Sequence, residues 1–207
     1  LSKSKAVELW HLIEPFAAYG FGKAHAASYG MVAYQTAYMK ANYPAEYMTA
    51  LMTAESGDLD KIAQAVAECR RMGIAVLPPD VNESYTNFTH VNDETIRFGL
   101  VVIKGIGSEI VGSIIAERKA RGAFRDLADF AGRVSHRAFN KKSLEALIKA
   151  GALDRFGECR TLLLNVEQIL FYNKKALAAK EQNQVSLFDL SPILSGEKLK
   201  LRLASAK

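Results

Sequence analysis

Two glycines, Gly105 and Gly107, sit in the run VVIKGIGSEIVGSII, after an apolar stretch and before residues with helical spacing. Positions without a side chain let another molecule come close, and the peptide N–H groups they bare suit phosphate oxygens. A dinucleotide, a triphosphate and a nucleic-acid backbone all present such oxygens, and spacing separates them. The dinucleotide fingerprint requires a third glycine three positions after the second, where this chain has Ile110. Its acidic ribose ligand, about 20 residues further on, has only Asp126 or Asp129 as candidates, both inside a helical segment. The triphosphate loop requires Gly-Lys followed by Ser or Thr, and Gly107 is followed by Ser108 and Glu109. Both nucleotide readings fail.

What remains is apolar-x-x-Gly-apolar-Gly followed by a helix, the pattern of a helix–hairpin–helix. Leu100–Ile103 is the short first helix, Gly105-Ile106-Gly107 the hairpin and Ser108–Arg118 the second helix. Ile106 plugs the core, while the N–H groups of Gly105, Gly107 and Ser108, at a helix N-terminus, face one phosphate. Lys104 adds a mobile cation. Such contacts carry no base information, so binding is expected to be sequence-independent and strongly salt-dependent. The β-branched LVVI favours strand by propensity, so a plain glycine turn between strand and helix is the competing local reading. LEALIKAGALDRFGECR offers a second, degenerate hairpin, with the single glycine Gly151 between helices at 143–149 and 158–171.

Charge supports a polyanion partner. The chain carries a formal +5, and residues 99–161 hold 12 Lys/Arg against 7 Asp/Glu, so this stretch contains the whole excess. A basic surface of this kind attracts nucleic acid. With 207 residues, 49% of them apolar, the chain can bury a core as one large or two small domains. No run approaches the roughly 18 apolar residues of a membrane span, and no signal peptide is visible. Cys69 and Cys159 lack C-x-x-C spacing and read as small buried thiols in a reducing compartment. Histidines 11, 25, 90 and 136 form no metal-ligand pattern, so no metal is expected within this chain. Leu1 stands where an initiator Met would, inside an apparent helix, which points to a piece of a longer protein.

The fold class expected is mainly α with a small β element. Residues 1–57 read as helical, with Ala24, Ala27, Met31, Tyr34 and Tyr38 forming one apolar stripe. The turn Gly20-Phe21-Gly22 precedes that helix and Asn42-Tyr43-Pro44 ends it. Residues 58–73 give another helix. Asp58 is its N-cap, Gly73 its stop, and Leu59, Ile62, Ala63, Val66 and Ala67 its buried face. GIAVL reads as a short strand that breaks at Pro78-Pro79, and TIRFG as a second. Residues 99–173 alternate short helices with glycine turns, the last helix being Leu162–Phe171. From Lys174 the chain reads as a frayed helix or linker that carries QVSLFDL outward.

Taken together, several segments resemble the DnaE-type family of bacterial DNA polymerase III α subunits. GFGKAHAASYGMVAYQTAYMKANYPAEYMTALM at 20–52 is similar to the end of that family's fingers domain, where F-x-K-x-H-x-x-x-Y and Y-Q-T-x-x-x-K-x-x-Y-P recur. GIAVLPPDVNES and IRFGLVVIKGIG resemble its fingers-to-hairpin connection. NKKSLEALIKAGALD with GECRTLLL resembles the second half of its tandem helix–hairpin–helix, and QVSLF its clamp-binding pentapeptide, with Val185 where Leu or Ala is usual. The resemblance covers residues 1 to about 190. It implies C-terminal fingers with the connecting β element at 1–98, a tandem helix–hairpin–helix that binds duplex DNA at 99–173, and a tail at 174–207. In that tail Leu187 and Phe188 fill pockets of the sliding β clamp while Gln184 hydrogen-bonds at the rim.

The resemblance also places the fingers helix beside an incoming nucleotide. His25 and Tyr29 share one face, where Tyr29 stacks on a base or sugar, and Lys23 reaches phosphate from the helix start. Packing against the rest of the fingers is the alternative role for His25 and Tyr29. Phosphoryl transfer needs carboxylates holding two metal ions, and residues 1–57 contain only Glu8, Glu14, Glu46 and Glu55, with no D-x-D. The implied catalytic palm, with its Mg2+, lies upstream of Leu1, so the parent is a DNA-directed DNA polymerase and this fragment alone is inactive, holding no cofactor. Implied partners are duplex DNA, the clamp, the remainder of the α subunit and other replisome subunits, in the bacterial cytoplasm on the nucleoid. A non-catalytic DNA-binding or repair scaffold, and an error-prone polymerase paralogue, are the competing readings.

Overall fold

A computed structural model describes residues 2–19, 22–181 and 203–204. The described residues are mainly helical with one small sheet, as expected. Helices α1 (Lys3–Tyr19) and α2 (Lys23–Asn42) come first. Tyr43 breaks the helix, and Pro44, at the first helical position where its missing N–H costs nothing, starts α3 (Pro44–Ala54). Asp58 caps α4 (Leu59–Arg71), its carboxylate accepting from the Asp60 and Lys61 amides at 3.1 and 3.2 Å. The buried face of α4 agrees with the expected one at Ile62 and at Val66, which packs half-buried on the same core, and differs elsewhere. Ile62, Ala65 and Cys69 are buried while Leu59, Ala63 and Ala67 are exposed. Cys69 acts as an apolar packing residue that periodicity arguments tend to skip, and it turns the face by one position. Burial pushes its thiol pKa up, and both cysteines are free.

Strands β1 (Ala75–Leu77), β2 (Thr89–Asn92) and β3 (Thr95–Arg97) form a sheet of order β1-β3-β2. The β1–β3 pair is parallel and the β2–β3 pair antiparallel. α3, α4 and this sheet enclose one core that includes Met48, Met52, Ile62, Cys69, Phe88 and Ile96.

Gly99 lies where two main-chain stretches meet. Leu100 N–H donates to Tyr85 O at 2.9 Å and Val101 N–H to Thr86 O at 3.0 Å. A Cβ at Gly99 would stand 2.4 Å from the Asn87 carbonyl carbon, so no side chain fits there. A 3-10 turn, Leu100–Val102, follows. Then come α5 (Ser108–Arg121), α6 (Leu127–Arg133), α7 (Lys141–Lys149), a 3-10 turn at Asp154–Phe156, α8 (Cys159–Leu164) and α9 (Val166–Glu181). Their second core gathers Leu100, Ile106, Ile110, Phe130, Leu144 and Leu162 among others.

The expected last helix, Leu162–Phe171, is in fact two helices that break at Asn165 and run on to Glu181. α9 continues past 171 because it packs on α6, where buried Asn173 donates to the carbonyls of Ala131 (2.7 Å) and Val134 (2.8 Å). Asn165 exchanges two 2.8 Å hydrogen bonds with the Ala204 backbone. Among the described residues no helix is long and apolar enough to cross a membrane.

Candidate nucleic-acid interface

The first glycine hairpin forms with the expected geometry, except that its leading helix is a single 3-10 turn. Gly105 takes φ +95°, a conformation that strains any residue with a Cβ. Gly107 does not need to be glycine for the fold. Its φ of −88° and ψ of 156° suit any residue, and a Cβ there would meet nothing within 4 Å. The hairpin therefore keeps an open face at 107. Ile106 is 8% exposed and plugs the core, and its amide donates to Ile103 O at 3.1 Å. Its side chain and N–H are spent inside the molecule, so its part in the site is to hold the loop.

The amides of Gly105, Gly107 and Ser108 have no acceptor among the described residues, and no side chain caps α5. α7 differs, because Asn140 and Ser143 form a reciprocal capping box at its start. The open amides and the positive end of the helix dipole thus coincide at α5. Glu109, in the first turn of α5, brings a negative charge close by. Arg137 and His136 stand 3.7 and 3.6 Å from its carboxylate, and Arg137 supplies the neutralising charge.

Sequence reasoning missed the lysines on the opposite wall. A groove beside the hairpin is lined by Lys104, Lys141, Lys142 and Lys149. Lys142 Cε would lie 3.6 Å from a Cβ at Gly105, so the lysine rests against the bare glycine. Lys141 pairs with Glu167 and Lys149 with Glu145, whereas Lys104 and Lys142 have no carboxylate partner among the described residues. Lys142 and Lys149, seven positions apart and therefore on one face of α7, were the available signal.

The fold also divides the basic excess of residues 99–161, which is not all directed at a ligand. Arg133, 8% exposed, donates to the carbonyls of Glu117 and Gly122 and pairs with Asp129 at 3.1 Å. Burial works against the Asp129 charge, but the Arg125 amide and the Arg133 guanidinium outweigh it and hold the carboxyl below its ordinary value. Arg118 lies 5.0 Å from the Tyr85 ring centroid and donates to Val81 O; burial lowers its pKa. Arg155 pairs with Asp80 and Glu83. These three arginines hold the fold together.

Gly151 plays a different part from the one expected of it. At φ +80° it ends α7, its amide donating to Ile148 O and the next amide, that of Ala152, to Leu147 O. The Asp154 carboxylate would lie 3.0 Å from a Cβ at Gly151. Its amide is engaged and its neighbour acidic, so helix termination accounts for a glycine here and Gly151 offers no open amide like those of the first hairpin.

On α2, the His25 and Tyr29 rings stand 4.4 Å apart between centroids and both are exposed. The backbone of Lys23 opens α2; its side chain lies outside the described residues. The stripe residues Met31, Tyr34 and Tyr38 are exposed at 58%, 68% and 49%, so nothing described here covers them. Gln184, Leu187 and Phe188 lie outside the described residues.

Residues 73–163 match the family described as helix-hairpin-helix motif. The chain is 47% identical over 182 residues to the DNA polymerase III subunit alpha of Mycobacterium tuberculosis, covering 88% of this chain and 15% of that protein. It is 48% identical over 163 residues to that of Deinococcus radiodurans, covering 79% and 12% respectively. Against the Thermus aquaticus subunit it is 43% identical over 186 residues, covering 90% and 15%. The chain thus spans roughly a seventh of the length of these curated relatives. With identity at this level along most of its residues, the chain is a homologue of one segment of the bacterial DNA polymerase III alpha subunits.

Proposed function

We propose that this chain grips duplex DNA through its backbone, without reading sequence, as part of a DNA-directed DNA polymerase. The observation that carries this reading is the set of unpartnered amides at Gly105, Gly107 and Ser108, beside the unpaired lysines 104 and 142. Amides at a helix start and free ammonium groups both stabilise a phosphate, and neither distinguishes one base from another. The hairpin region holds the duplex at 99–173. Within 1–98, Lys23, His25 and Tyr29 face the incoming nucleotide, and the tail at 174–207 docks on the sliding clamp through Gln184, Leu187 and Phe188. The carboxylates and Mg2+ that drive primer extension belong to a palm outside this chain, which by itself extends no primer. The setting is the bacterial cytoplasm, on nucleoid DNA, with the remainder of the alpha subunit and other replisome subunits as neighbours.

Duplex binding is tested by titrating fluorescent duplexes of unrelated sequence at several salt concentrations. The expected affinities agree between sequences and fall linearly in log-log form, by about 0.9 per phosphate neutralised. Lys142→Ala is expected to lower that slope by about one and to weaken all sequences alike. A salt-independent affinity contradicts the proposal. For the tail, replacing Leu187 and Phe188 by Ala is expected to release the clamp in a pull-down while leaving duplex binding unchanged. Clamp retention by the double variant would assign those residues another purpose.

A further inference from the structure

His90, on β2, stands between two carboxylates brought from elsewhere in the fold. Its Nε2 lies 3.9 Å from Glu46 Oε1, in the first turn of α3, and 3.8 Å from Asp93 Oδ1, in the turn between β2 and β3. The three donor atoms all fall within 4.8 Å of one another. His90 Nε2 is closed off from solvent and yet makes no hydrogen bond. Separations of 3.8 and 3.9 Å are too long for a hydrogen bond. They are close to the roughly 3–4 Å between two donors that each lie about 2.0–2.2 Å from a shared ion. The two carboxylate oxygens lie within 4.8 Å of each other, and with side chains 44% and 96% exposed both carboxylates are free to draw in toward a shared ion.

We propose that Glu46, His90 and Asp93 bind one divalent first-row transition ion, Zn2+ foremost. One imidazole nitrogen and two carboxylate oxygens make a mixed donor set suited to Zn2+, with a water completing the tetrahedron. Mg2+ and Ca2+ prefer oxygen-only shells with more ligands. The ion ties the start of α3 to the β2–β3 hairpin, cross-linking the helical and sheet layers of the first core. Histidine spacing along the sequence conceals the set, because Glu46 joins only when the sheet docks on α3.

The test is calorimetric titration of ZnCl2 into the tag-free full chain, with MgCl2 and CaCl2 as comparators, followed by thermal unfolding. The expected result is one Zn2+ per chain, with Mg2+ and Ca2+ at least about a hundredfold weaker. At hundredfold excess over Kd, Zn2+ is expected to raise Tm by about 5–10 °C. His90→Ala abolishes the binding. Asp93→Asn, at a side chain almost free of contacts, weakens it about tenfold or more while leaving the metal-free Tm unchanged. Absence of Zn2+ binding to the parent chain overturns the proposal, as does unchanged affinity in His90→Ala. If His90→Ala does not fold, unchanged affinity in Asp93→Asn overturns it alone.

Discussion

Gly107→Val is expected to weaken duplex binding about a hundredfold while unfolding stays within about 1 kcal/mol of the parent chain. The two effects separate because the fold makes no demand on this position. Its backbone angles are those of an ordinary extended residue, and a built Cβ meets open space. The stability cost is limited to exchanging one N-cap residue for a poorer one, about 1 kcal/mol or less. The binding cost is larger. A valine at 107 stands in front of the amides at 107 and 108 and keeps a phosphate out of hydrogen-bond range. Hydrogen bonds to a charged group contribute about 1.5 kcal/mol or more each, and each 1.4 kcal/mol is tenfold in affinity, so losing two gives about a hundredfold. Fluorescence anisotropy with a labelled duplex measures the first effect and thermal unfolding the second. A variant that binds like the parent removes the hairpin from the interface.

Phe130→Ala is expected to lose about 3–5 kcal/mol of stability and, with it, duplex binding. Phe130 is fully buried in the second core, and its ring meets those of Phe124, Phe139 and Phe156 at centroid distances of 5.1, 5.8 and 6.2 Å. Its neighbours are themselves packed in a dense core, so the space of a lost ring is refilled only in part and a cavity remains. A loss of this size is a large part of the 5–15 kcal/mol that holds a typical domain together. Urea denaturation followed by circular dichroism measures it. A loss below about 1 kcal/mol would show that the aromatic cluster is not the centre of this core.

Features that answer a local backbone need are the easiest to see in the sequence, and those made by packing against distant elements are the hardest. The hairpin, the Asp58 cap and the helix stop at Gly73 are local chemistry, in which a residue type at a fixed offset answers a backbone need within a few positions. They could be read directly. β2 could not, because THVN lacks the alternation of apolar and polar residues that a half-buried strand shows. It becomes a strand because β3 offers it a hydrogen-bonding edge. The end of α9 was hidden similarly, since its polar residues look like linker until Asn173 is seen to serve α6.

The site itself was half legible. Glycine spacing located the amides, and net charge indicated a polyanion, but charge summed over a segment cannot separate Arg133, buried and committed to carbonyls, from Lys142 beside Gly105. That distinction is made by long-range packing. Gly151 shows the opposite failure, a glycine whose local pattern invites a ligand although its amide already serves the chain.

The 3-10 turn at Leu100–Val102 sends Leu100 into the second core and Val102 into the first. Two positions of one short turn are therefore anchored in different cores, directly before the glycine hairpin. Traction on that loop is shared between two hydrophobic masses and is not taken up by a pliable hinge. Under the proposed function, a load that a bound duplex puts on the hairpin would be borne by both cores through this turn.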